Sequence, residues 1–176
     1  MKPKTLLLAL FAFLLLTASE CEKKDLTTLP PETQEGKNTF GCLINGEVFV
    51  KSQKVPIFTS AISASYSLGA QILGIRVYTH PYGYVHLDVE PLYNVQPMTF
   101  FRCYFSPLQS ESGECYSFGG KNIGIIELTC FDVANRIVSG RFSFDGQCLD
   151  IYENPIGNSI VHITEGRFDI KLEIYE

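Results

Sequence analysis

From residue 38 to the C-terminus, apolar and polar residues alternate with a period of two, and no stretch follows the helical period of 3.6. Such alternation gives a strand one dry and one wet face, so the chain must bury a pleated surface and not a helical stripe. The clearest case is the last strand. Phe168, Ile170, Leu172 and Ile174 alternate with Arg167, Asp169, Lys171 and Glu173. Before it, Val161 and Ile163 alternate with His162 and Thr164, and Glu165-Gly166 reads as a tight turn, which predicts a C-terminal hairpin. Val138, Phe142 and Phe144 share a face with Gly140, whose missing side chain marks a bulge or a close backbone approach. Ile126, Leu128 and Cys130 line the preceding strand, joined through Asp132 to Asn135. Further runs are Leu43 to Val50 (with Asn45-Gly46 as an early turn), Ile57 to Tyr66, Gln71 to Thr79, Tyr84 to Glu90, Thr99 to Tyr104 and Cys115 to Phe118. About nine or ten short strands separated by Gly, Pro, Asn and Asp predict an all-β fold, a single antiparallel β-sandwich or barrel-like domain over 38–176.

Ahead of that domain the pattern changes twice. Residues 22–37 are polar, with Pro30-Pro31 and no apolar period, and read as a flexible tether. Residues 1–20 carry Lys2 and Lys4, the apolar run Leu6 to Leu16, then small and polar residues. Eleven apolar residues are too few for a permanent span, which needs about 20, and the succession is that of a secretory signal. Cys21 stands where cleavage would fall, the position of a lipid anchor in an exported lipoprotein. Glu20 and Ala18 depart from the small and aliphatic residues usual there; ordinary cleavage before Glu20 is the rival reading. The expectation is a cell-envelope protein of the outer membrane, held to the membrane through Cys21. From Cys21 onward twelve Lys and Arg face eighteen Asp and Glu, which gives no electrostatic basis for binding nucleic acid.

An exported chain with six cysteines invites a disulfide. Cys103 and Cys115 flank a turn-rich segment, and a hairpin centred on Gln109 would set them opposite each other, within reach of a bridge. The alternative is a pair of half-buried thiols. No CxxC and no Cys–His zinc spacing occurs, so neither a metal nor a cofactor is expected.

Functional groups are densest between Thr79 and Glu90. On a strand, Tyr84, His86 and Asp88 point one way, opposite Val85 and Leu87, with Tyr82 close by in the preceding turn. Tyr82, Tyr84, His86 and Asp88 form the candidate ligand surface, for a protein or a glycan. His86 and Asp88 can share a metal with His80, but two placed ligands are too few, and a solvated sheet face accounts for the alternation. Tyr78, Tyr82, Tyr84 and Tyr93 can form an aromatic platform, or simply pack as strand residues. For catalysis there is no GxSxG elbow and no paired-acid signature beyond chance, so no catalytic residue is assigned. Arg141 and Arg167 can flank an anion, though each falls where alternation already points a polar residue outward.

The stretch Leu29 to Val50, with Leu-Pro-Pro-x-Thr at 29–33, Asn-Thr-Phe-Gly-Cys at 38–42 and the Asn45-Gly46 turn, resembles the start of a group of Bacteroidota lipoproteins known only as a domain of unknown function. Ile137 to Phe144 and Ile163 to Asp169 are similar to that family's closing strands. The resemblance implies an envelope lipoprotein and no assigned activity. The expected role is non-catalytic, in binding or assembly at the envelope. The rivals are a glycan-acting hydrolase, with acids or His converging in a cleft, and a β-barrel carrier holding a small apolar ligand inside.

Overall fold

A computed structural model describes residues 27–51, 60–80, 83–89, 98–99, 102–106, 115–118, 124–150, 152 and 154–176. The secondary structure of the described residues is β throughout, in eleven strands. They are β1 (Thr39–Ile44), β2 (Glu47–Lys51), β3 (Ile62–Ser67), β4 (Ile72–His80), β5 (Gly83–Val89), β6 (Met98–Thr99), β7 (Arg102–Ser106), β8 (Cys115–Phe118), β9 (Ile125–Asp132), β10 (Ile137–Leu149) and β11 (Pro155–Tyr175). Residues 1–20, expected to be a secretory signal, lie outside the described residues, as do Cys21, Tyr82 and Tyr93.

Two turns form as their residues dictate. Asn45 and Gly46 take φ of 51° and 86°, so β1 and β2 are joined by two left-handed residues, as a tight hairpin requires. Asp132 caps the β9–β10 turn, its carboxylate accepting from Asn135 N at 2.8 Å and Asn135 Nδ2 at 2.7 Å.

The sheet is mixed, which corrects the expectation of a purely antiparallel one. Residues Leu172 to Tyr175 of β11 run parallel to Ala64 to Ser67 of β3, while every other ladder among the described residues is antiparallel. A second correction concerns the C-terminus. Residues 155–175 form one strand and not a hairpin, because Glu165-Gly166 makes a bulge. Glu165 sits at φ 50°, and the registers of β11 against both β1 and β10 slip by one residue there.

A third correction concerns Cys115, which is bonded to Cys148 and not to Cys103. The β7–β8 hairpin exists, but its register sets Cys103 across from Ser117 and Cys115 across from Phe105. The other edge of β8 meets β10, where Cys148 lies directly opposite Cys115.

The inner faces of β4 and β5 (Leu73, Ile75, Val77, Val85, Leu87, Val89) and those of β1, β10 and β11 (Phe40, Cys42, Val138, Phe142, Phe168, Ile170, Leu172) meet in one core. Phe142 sits among Phe40, Phe144 and Phe168, with ring centroids 5.3 to 6.4 Å away. Two glycines make this packing possible. Gly166 lies across from Phe142, and a Cβ there would stand 2.6 Å from its ring; Gly140 lies across from Phe168, with 2.8 Å to Cζ. Gly140 therefore marks a close approach, as its place in the sequence implies, and β9 also slips register beside it.

Candidate functional site

Residues 29–37, expected to belong to a loose tether, are docked as a strap on the outer face of β1, β10 and β11. The strap runs antiparallel to β1. A Cβ on Gly41 would lie 2.5 Å from Pro30 Cδ, so the missing side chain there makes room for Leu29 and Pro30. Farther along, Glu32 meets Arg141, and Thr33 to Lys37 close around Asp169.

Asp169 is the fixed point. Alternation points it outward, yet it is 1% exposed because the strap covers it. Its carboxylate accepts five hydrogen bonds: from Thr33 Oγ1 at 2.5 Å, Glu35 N at 3.2 Å, Gly36 N at 2.7 Å, Lys37 N at 3.1 Å and Ser139 Oγ at 2.8 Å. Burial pushes the carboxyl's pKa up, but the bonds from Thr33, Lys37, Ser139 and Gly36 outweigh it and hold the pKa below the ordinary aspartate value. Three successive amides, those of Glu35, Gly36 and Lys37, can converge on one carboxylate because Gly36 adopts a φ of 68°. The strap and Asp169 are what sequence reasoning missed. The only local signs were Gly36 and Asn38, residues tolerant of left-handed backbone, inside an otherwise polar run.

Beside the strap lies an open groove of about 380 Å³ lined by Glu32, Ile125, Glu127, Arg141, Ser143, Glu165 and Arg167, among others. The structure brings together the two arginines singled out from sequence, which are cross-strand partners. Arg141 donates to both oxygens of Glu32, with Nε at 2.9 to 3.0 Å and Nη2 at 2.6 Å. The hydrogen bond from Arg141 lowers the Glu32 pKa. Glu127 Oε2 stands 3.9 Å from Arg141 Nη1, and Glu165 Oε2 stands 3.5 Å from Arg167 Nη2. Three carboxylates thus offset two guanidinium groups that would otherwise repel across the ladder. The groove can hold a mixed polar segment; its arginines are already engaged by the chain's own acids.

On β5 the residues singled out from sequence do share a face, but it is less wet than expected. His86 is 8% exposed, and its Nε2 is hydrogen-bonded to Asp88 Oδ1 at 2.9 Å. Gly74, across from Asp88, leaves space for that carboxylate: a Cβ there would stand 3.2 Å from Asp88 Oδ1 and 3.4 Å from Ser65 Oγ. Tyr84 packs at 5.1 Å from Tyr78 and 6.2 Å from His86, ring to ring. The outcome is a half-covered aromatic and His–Asp patch. Among the described residues no three His, Cys, Asp or Glu converge as metal ligands. Cys42 and Cys130 carry free thiols, and burial pushes the Cys42 pKa up to about 12.

No protein-family model, curated protein or solved structure matches this chain.

Proposed function

We propose that the protein is an exported envelope lipoprotein, acylated at Cys21, whose β-domain serves a non-catalytic binding or assembly role. The observation that carries this reading is the strap. A domain pulled on through its N-terminus needs that end fastened to the fold, and four hydrogen bonds from the strap to a buried carboxylate supply such a fastening. In a chain with an apolar leader and a cysteine at its end, this is the attachment an anchored domain requires. The residues behind the resemblance to Bacteroidota lipoproteins fit the same picture. Gly140 and Phe142 in one segment, with Gly166 and Phe168 in the other, are reciprocal partners in the core. We read the layered strands as a sandwich whose interior is filled by aromatic and aliphatic side chains, so partners meet its outside. Tyr84, His86 and Asp88 are the surface we assign to a protein or glycan partner.

Membrane fractionation of Cys21→Ala in a lipidating bacterial host tests the anchor. The parent is expected in the membrane and the variant in the soluble fraction. A variant as membrane-bound as the parent would remove the lipid-anchor reading.

A further inference from the structure

Resting on that lipid-anchor reading, we infer that the strap-bearing face of β1, β10 and β11 is turned toward the bilayer, and the Tyr84–His86–Asp88 patch away from it. Chain length limits the orientations open to the domain. If residues 22–37 were all loose, the tether would reach about 55 Å and the domain could take any orientation. The strap removes that freedom, because the chain is already seated on the sheet at Leu29 and Pro30. From Cys21 to Thr27, where the described chain begins, six steps of fully extended chain span about 20 Å at most. A domain of this length has a radius of gyration of about 14 Å, so such a leash cannot carry the anchor round to the far side. The far side is identified by the ladders. β5 is three pairings from β11 through β3 and β4, and three from β10 through β7 and β8. Its inner residues meet those of β10 and β11 in one core, so the outer faces point apart. The occupant of the strap side is therefore the bilayer surface that holds the chain's own acyl groups, and the candidate binding patch on β5 is presented outward.

The chain contains no tryptophan, so a single introduced one reports its own position without background. Ile125, half-exposed beside the strap groove, and Tyr84, on the outer face of β5, are each replaced in the full-length acylated protein. The two variants, Ile125→Trp and Tyr84→Trp, are bound to phosphatidylcholine vesicles carrying a nitroxide on a fraction of the headgroups. Quenching of Ile125→Trp is expected to exceed that of Tyr84→Trp several-fold. Inserting a long Gly-Ser segment between residues 26 and 27 should erase the difference. Equal or reversed quenching in protein that floats with the vesicles and carries acyl groups on Cys21 by mass spectrometry would overturn the orientation alone. Absence of acylation would overturn the anchor and the orientation with it.

Discussion

A carboxylate that has lost its water stays ionised only if donors take the water's place. Asp169 has five, and its lowered pKa gives the pH dependence a definite sign. Down to about pH 4 both folded and unfolded chains carry the group ionised. Below that the unfolded chain takes up the proton first, so stability falls with pH until the folded carboxyl is also protonated. Asp169→Asn should therefore be less stable than the parent at neutral pH, by about 2–4 kcal/mol, with the gap narrowing below about pH 4. Urea denaturation of both at pH 7 and pH 3 measures it; a constant gap would show that the carboxylate's charge is not what the strap needs. At Gly140 and Gly166 space and not φ is decisive, since neither has a positive φ. Gly140→Ala would press on the Glu127 carbonyl as well as the Phe168 ring, and Gly166→Ala first of all on the Phe142 ring. Both should cost about 1–3 kcal/mol in thermal or chemical melts, Gly140→Ala the more. The close approach at Gly140 was legible because a glycine interrupting a strand face has few other reasons to be there. The role of Asp169 was not, because alternation reports which way a side chain points and not what later covers it.

β11 shows how far periodicity carries at the level of an element. Phe168, Ile170 and Leu172 are 1–3% exposed, so the dry face lies where the alternation puts it. The break that Glu165-Gly166 suggests is not a reversal, because the residues that build a tight turn also build a bulge; whether the chain reverses is decided by the partner strands. Here β1 and β10 pair on both sides of the slip and hold the strand straight through it. Phe168→Ala should cost about 3–5 kcal/mol, and Lys171→Ala, exposed on the opposite face, should stay within about 0.5 kcal/mol of the parent. Similar urea midpoints for the two variants would mean that β11 does not contribute its Phe168 face to the core. The parallel ladder with β3 had no local signature, since pairing partners distant in sequence leave no trace in either strand's own alternation.

At the scale of the whole molecule, two fastenings hold segments that the alternation alone does not connect. One is the Cys115–Cys148 bond, which closes a separation of 33 residues. The number of cysteines was readable, but not the pairing, because the hairpin register sets Cys103 against Ser117. Opening that loop by Cys115→Ser with Cys148→Ser should cost about 3–4 kcal/mol by the chain-entropy account, read as a lower urea midpoint. The other is the strap, and it moves the domain boundary. Composition alone places the start at Asn38, where polar sequence gives way to alternation, but the fold begins ahead of it, at the contact of Leu29 and Pro30 with Gly41. Two shortened chains separate the possibilities, one starting at Thr27 and the other at Asn38. Both should give a far-UV spectrum dominated by strand, because the core lies wholly within β1 to β11. The shorter chain loses four of the five bonds to Asp169 and bares the Gly41 surface. It regains water at the carboxylate, so its net loss should be about 2–4 kcal/mol, a large share of the 5–15 kcal/mol typical of a domain. Asp169→Asn should weaken the longer chain and leave the shorter one nearly unchanged, since in the latter the strap is already gone. If the substitution costs both chains equally, Asp169 stabilises the sheet itself, and the strap is a passenger on its surface.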